Sequence, residues 1–405
     1  MGKAIGLQPT GFKLLTRFLP SAIHTFHFNV GNFIPVKTFV SLQYNTFAAL
    51  MIIDWPKILF IACCVLAAIQ VFYYLWFFVR LAVYKKPKRN VLQQHPVSVI
   101  ICARDEAQNL ADNLPDVLQQ QYTSTFEVVA VNDNSYDDSK YVLEYLQRPF
   151  KNLRPVELKQ EAKFISGKKF PLSIGIKEAK YELLLLTDAD CKPASPNWIH
   201  HMQDAFAPGK EIVLGYGAYT KEPGLLNKLI RFETYMSALQ YFSYALAGMP
   251  YMGVGRNLAY KKDLFFRNKG FSMHNQLPGG DDDLFINRVA TKENTAIVID
   301  KEAFTYSKAK NRWSTWRSQK TRHYTTSKFY KSSHKFLLAL FSLSHFLFYP
   351  ALIASILFYC WWMALAVFGF RFVVQGIIYY STMRKLGEGD LFWIYPFLDI
   401  WQWLY

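Results

Sequence analysis

The sequence predicts an α/β protein, a doubly wound and mostly parallel sheet set between membrane-spanning helices. Three observations carry this expectation. Between Pro96 and Ser307 short apolar runs alternate with helical patterns, as buried parallel strands and their crossover helices do. Apolar stretches of membrane-crossing length lie before and after this region. Acidic motifs fall at the ends of the apolar runs, where doubly wound sheets bind their ligands.

The chain has 405 residues, 51% of them hydrophobic and only 19% charged, which excludes wholesale disorder. Five Cys without a CxxC spacing exclude a disulfide scaffold. They read as reduced or lipid-buried thiols. A net charge of +16 suits nucleic acid, an anionic membrane or a phosphorylated substrate. Position decides among these. Arg80, Lys85, Lys86, Lys88 and Arg89 directly follow the first long apolar stretch. From Lys301 to Lys335 many bases accompany a single acid, Glu302. Basic clusters beside spans are what the positive-inside bias produces. No helix-turn-helix, zinc-finger or RNA-binding signature supports nucleic acid.

Residues 1–50 hold no Asp or Glu and no signal-peptide core, and are read as an N-terminal extension without assigned function. Segment 51–90 holds the first span, Ile58 to Val79, and the basic cluster that sets the following chain in the cytosol. Domain 91–335 is expected to be cytosolic, with strands at 97–102, 126–131, 181–188 and 211–218. Helices are expected near 106–120, 137–147 and 169–179. Phe336 to Phe370 carries no charge, and about 35 residues rise roughly 52 Å, too far for one crossing. Segment 336–381 is therefore expected to cross twice, near 336–357 and 359–380, with a turn at Tyr359 to Trp362. The alternative is a surface helix up to Pro350 and one span, which puts Arg371, Arg384 and Lys385 outside, against the charge bias. Arg371 and Gln375, four apart, share a helix face. In the tail, 382–405, the apolar stretch from Leu391 is too short to span and is expected at the interface. Trp313 and Trp316, flanked by Arg312 and Arg317, read as an interfacial amphipathic segment.

The motifs have chemistry of their own. Asp188 and Asp190 follow a strand, where a turn can aim both at one Mg²⁺ or Mn²⁺; the plainer reading is a helix cap. Asp133, at the second strand end, can accept from a pyrimidine N–H or close an Asx-turn. Glu106 suits a helix start. Lys168, after Gly167 and before a helix, can meet a phosphate, although GxxxxGK[ST] is absent. Asp281, Asp282 and Asp283 raise one another's pKa, which suits a base near neutral pH; Asp283 also suits a helix cap. Gln319 and Arg322, three apart, face one way. His200, His201 and His274 show no ligand spacing.

In order and spacing, these motifs resemble the membrane-bound branch of the family-2-type, inverting glycosyltransferases with a GT-A fold, over roughly 95–325. The resemblance implies a nucleotide-sugar donor of the UDP or GDP type and a hydroxyl acceptor on a lipid-linked or cell-envelope glycan. It implies that Asp133, with Ala103 and Glu106, holds the nucleotide base. Asp188 and Asp190 would take the metal, and Asp188, Lys168, Gln319 and Arg322 the donor. It puts Gly255, Asn257 and His323 on the acceptor side. The general base falls on Asp282 when counted back from Arg288, or on Asp281 if Asp283-Leu284 matches the family's later Asp-Leu. Gln319-x-x-Arg322-His323 resembles QxxRW with His for Trp. The missing indole removes a sugar-stacking platform, which argues against a processive polymerase. A polysaccharide synthase with a partner subunit or oligomer, and a non-catalytic membrane-anchored scaffold, are the competing readings. The expected location is the inner or plasma membrane.

Overall fold

The computed structural model describes residues 54–87, 94–159, 167–277 and 279–404, with backbone alone at 322–324. The expected extension at 1–50, and Lys88 and Arg89 of the basic cluster, lie outside the described residues.

Three strands form the centre of the large sheet: β1 (Val97–Ala103), β2 (Phe126–Asn132) and β4 (Leu183–Asp188). They are parallel and almost wholly buried, which is why they read as continuous apolar runs. Ala103 pairs with Asn132 and Cys102 with Asp188, so the carboxyl ends of all three meet at one sheet edge. The helices between them are α2 (Ala107–Leu118), α3 (Ser139–Gln147) and α4 (Lys169–Glu178). These agree with the expected helices to within two residues.

The sheet extends further than expected. Its order is β3-β2-β1-β4-β8-β6-β9. Strand β3 (Leu153–Glu157) was not expected, because only Leu153 is buried and Pro155 interrupts it. It lies at the sheet edge, where a missing N–H is tolerated. Strand β8 (Leu258–Lys261) runs antiparallel to both β4 and β6 (Ile212–Leu214), and β9 (Thr295–Ile297) closes the far edge. The run expected as one strand at 211–218 divides between two sheets. After β6 the chain crosses at Gly215 into β7 (Gly217–Tyr219), which joins β5 (Cys191–Pro193) and β10 (Thr305–Ser307) in a small sheet. A Cβ at Gly215 would come within 2.5 Å of the Asn257 side chain, so only glycine lets the crossing pass there.

Among the described residues, three helices are long and apolar enough to cross a membrane: α1 (Trp55–Val83), α10 (Ser332–Phe358) and α11 (Trp361–Lys385). One precedes the α/β core and two follow it, with a turn at Tyr359 and Cys360. Ile61, Val65, Trp76, Leu357, Phe370 and Ile377 point large side chains outward, a surface suited to lipid rather than water. Arg371 and Gln375 do share a face. Both bond to Asp399 of α12 (Tyr395–Leu404), Arg371 at 2.9 Å and Gln375 at 2.7 Å. Tyr349 adds a bond of 2.5 Å to the same carboxylate, and Gln70 of α1 accepts from Arg371 at 2.7 Å. This buried network joins all four helices.

Interleaved with the later strands are α5 (Trp198–Gln203), α6 (Leu225–Leu246), α7 (Lys262–Arg267) and α8 (Asp283–Val289), and α9 (Trp313–Ser327) leads from β10 to α10. The Trp pair on α9 divides. Trp313 is exposed as expected, but Trp316 turns inward and donates to Glu233 of α6 at 3.2 Å.

Candidate active site

Two loops leave β1 and β2 side by side and lock together. Asp105 and Asn134 both have positive φ, 55° and 52°, which Asp and Asn tolerate better than most residues. Asp105 Oδ1 accepts from Tyr136 N–H (2.7 Å), and Asp105 N–H donates to Ser135 Oγ (2.9 Å). Asp133 N–H donates to the Ala103 carbonyl at 2.8 Å, and Arg104 stands 4.0 Å from the Asp133 carboxylate. Glu106 is the residue before α2, where its N–H donates to Ser139 Oγ (3.0 Å) and its carboxylate accepts from Asn109 (2.5 Å). Burial pushes its carboxyl up, and the charge of Asp190 adds to the shift. Ala103, Glu106, Asp133 and the DxD are thus gathered at one edge. The lock between Asp105 and the Ser135–Tyr136 backbone and hydroxyl had no signal in the sequence beyond the turn-forming Asp105 and Asn134.

Asp188 ends β4 and forms an ion pair with Lys168, the residue before α4. Burial opposes ionisation of Asp188, yet the Lys168 ammonium, helped by Arg256, holds its carboxyl below the usual range. Asp190 behaves oppositely, raised by burial and by the Asp188 charge. Atoms of Asp188, Asp190 and Cys191 lie within 4.8 Å of one another. The Cys191 thiol, buried and raised well above its ordinary value, is 3.5 Å from Asp190 Oδ1. Hard divalent cations take oxygen ligands, so the two carboxylates are the donors that fit one.

Arg256 was not singled out in the sequence. Its guanidinium packs over Tyr219 at 4.2 Å and donates to Ser307 Oγ at 2.9 Å. Burial works against its charge, but Tyr219, Cys191, Asp190 and Asp188 together hold it firmly protonated. Its carbonyl accepts from Thr187 Oγ1 at 3.0 Å, so the Gly255–Arg256 segment is fixed beside the end of β4.

That segment also reaches the acidic turn. Gly255 N–H donates to Asp282 Oδ2, and Asp283 N–H to Asp282 Oδ1, both at 2.7 Å. Asp282 is therefore the cap of α8, the role expected of Asp283. Asp283 is instead the first helical residue. It is buried, and accepts from Thr326 (2.5 Å) and Tyr330 (2.7 Å). Burial pushes Asp281 and Asp282 each up to about 6, with the Asp282 charge adding for Asp281 and the Asp283 charge for Asp282. Lys168 pulls Asp281 back down. Gly280 supports the turn at φ +92°, where a Cβ would come within 2.5 Å of Leu284.

The expectation for Asn257 needs correction. It is wholly buried, donating to Tyr216 O (3.0 Å) and Ala303 O (2.7 Å) and accepting from Trp198 Nε1 (3.1 Å). Every bond it makes goes to the core, so it ties the two sheets together and does not face an acceptor. Gln319 is half-buried on α9. The side chains of Arg322 and His323 lie outside the described residues, but their helix is held at two points. Lys320 pairs with Glu233 at 2.8 Å, and Thr326 bonds to Asp283.

Residues 98–266 match the family model described as Glycosyl transferase family 2. That stretch of the α/β core is similar to family 2 glycosyltransferase domains, and glycosyltransferase is the class that the match and the fold support. A mannosyltransferase of Pyrobaculum calidifontis, solved in complex with GDP-Man and Mn²⁺, superimposes with a TM-score of 0.53 at 18% identity. The match covers 85% of this chain and 99% of that one, and it shows the GT-A fold. A poly-beta-1,6-N-acetyl-D-glucosamine synthase of Staphylococcus aureus is 25% identical over 176 residues, 44% of this chain. The aligned stretch spans 39% of that relative's length.

Proposed function

We propose that this membrane protein transfers a sugar, with inversion, from a nucleoside diphosphate sugar of the UDP or GDP type to a hydroxyl of a lipid-linked or cell-envelope glycan. One observation carries the reading. Two carboxyls raised to about 6 stand across the Gly255–Arg256 segment from the Asp188–Asp190 pair. A base that titrates near neutrality and a cation-binding pair on either side of one segment are what direct displacement needs.

The donor's base lies against Ala103, Glu106 and Asp133. Its diphosphate meets Lys168 and Arg256, with Gln319 and Arg322 approaching from α9. A divalent metal, Mg²⁺ or Mn²⁺, held by Asp188 and Asp190, would offset the charge of the departing diphosphate. Asp282, its carboxylate aimed by the Gly255 and Asp283 N–H groups, takes the proton of the acceptor hydroxyl. The oxygen bonds to the anomeric carbon as the bond to the diphosphate breaks, and that electron pair leaves with the nucleotide. Asp281, beside it, faces the Lys168 charge and helps raise Asp283. The Gly255 backbone lies on the acceptor side.

Domain 91–335 works in the cytosol, in keeping with the basic residues after α1. The other three segments, 51–90, 336–381 and 382–405, anchor it, and membrane lipids are its surroundings. The test is a panel of UDP- and GDP-sugars with and without Mn²⁺, read by thermal stabilisation and by release of nucleoside diphosphate. Metal-dependent stabilisation by one donor, with turnover on a glycolipid acceptor, is expected. Stabilisation by none would overturn the reading.

A further inference from the structure

Lys168 and Lys169 are adjacent, yet they face different parts of the site. Lys168 pairs with Asp188 at the donor edge. Lys169 is wholly buried. Its ammonium donates to three backbone carbonyls, those of His274 (2.9 Å), Leu277 (2.5 Å) and Gly279 (2.5 Å). An ammonium has three protons to donate, and here each has an acceptor. A buried charge is tolerated only when so compensated. The three acceptors belong to the segment that leads directly into Gly280 and Asp281.

We propose that Lys169 is a positioning residue that ties the His274, Leu277 and Gly279 carbonyls to the start of α4, so that the helix end contacting the donor also sets the acidic turn in place. This rests on the transfer reading above, in which Lys168 meets the diphosphate and Asp282 serves as base. The arrangement makes a specific demand. A diphosphate competing for Lys168 must shift its ion pair with Asp188, and the next residue holds the acceptor-side segment without slack. Donor occupancy is then communicated to the base through one peptide unit. The charge of Lys169 also faces Asp281, Asp282 and Asp283, which favour its protonation against burial.

The experiment uses the full chain in detergent micelles, with UDP and GDP plus Mn²⁺ as probes. Hydrogen exchange is followed in peptides covering 272–280. In the wild type, nucleotide with Mn²⁺ is expected to slow exchange there. In Lys169→Met, exchange is expected to be faster and to lose its response to nucleotide, while nucleotide affinity stays within about threefold and kcat falls by about tenfold or more. Lys169→Arg, which keeps the charge, is expected to recover part of both. Wild-type exchange and kcat in Lys169→Met would overturn the proposal. So would a fall in nucleotide affinity as large as the fall in kcat. Should Lys169→Met fail to fold, an unprotected segment in a folded Lys169→Arg would overturn it. Absence of sugar transfer by the wild type, with segment protection still dependent on Lys169, would defeat the transfer reading alone.

Discussion

The charge cluster at the sheet edge and the one among the membrane-length helices differ in their hydrogen bonding. In the helical cluster, Asp399 accepts from Arg371, Gln375 and Tyr349, while Arg371 also reaches Gln70 and His345. Arg371 and Asp399 are 0% and 1% exposed. At the sheet edge, the Asp188 and Lys168 side chains remain 35% and 30% exposed. Asp281 receives no hydrogen bond from any other described residue. A network whose charges are paired and enclosed holds neighbours together and has little left to offer a ligand. The more open cluster keeps the acids of its turn raised and its Lys168–Asp188 pair partly exposed, which suits a site that waits for a diphosphate and a hydroxyl. Removing one charge from each cluster should therefore produce different symptoms, rate at one and stability at the other.

The sharpest contrast comes from Asp282→Asn. Loss of a general base costs about 10²–10⁴-fold in rate, so transfer should nearly vanish while nucleotide affinity and melting temperature change little. Asp281→Asn should be milder. If the two outcomes exchange, the base is Asp281 and the register shifts by one residue. Steady-state kinetics beside nucleotide titration decides this. Normal transfer by both variants would reduce the acidic turn to a helix cap.

Asp399→Asn should show the reverse pattern. Breaking a buried pair strands its partner at a cost of about 3–5 kcal/mol. Thermal unfolding in micelles should fall clearly, with nucleotide affinity preserved in the molecules still folded. The double change Arg371→Met with Asp399→Leu should regain much of the loss, because no charge is left unpaired. A double variant no better than the single one would mean that the network does more than hold the helices.

Asp190→Asn is expected to have a smaller effect than either. Metal-dependent nucleotide binding should weaken by about tenfold or more, since one of two carboxylate ligands is removed. The fold should survive, and calorimetry with and without Mn²⁺ reads the difference. Equal metal dependence in wild type and variant would remove the cation from this edge.

The smallest effect is graded by pH. The base works only when ionised, and burial holds the acidic turn protonated up to about 6. The rate should therefore rise as pH increases through about 6 and level off above it. Below that point it should fall about tenfold per unit. A profile flat down to pH 5 would place the working base elsewhere. Stability of the Arg371–Asp399 cluster, enclosed and fully paired, should show no matching step over the same interval.

Much of this was legible along the chain. The central strands are buried on both faces, so their apolar runs mark themselves, and an acid that ends such a run is placed by the strand itself. Three apolar stretches could be sized against a membrane by rise per residue alone, and Arg371 and Gln375 were put on one face by helical period. Other features depend on partners far away in sequence. Pro155 lies in a strand because β2 offers a free edge. Asn257 turns inward because Trp198, Tyr216 and Ala303 supply acceptors and a donor there. Trp316 is drawn in by Glu233. Lys168 and Lys169 show the limit most plainly. They are the same residue type one position apart, and no pattern along the chain tells them apart. About 100° of rotation per residue at the start of a helix sends one ammonium to a carboxylate at the sheet edge and the other to three carbonyls beneath the acidic turn. Which receives which depends on what the folded chain has already brought to each side.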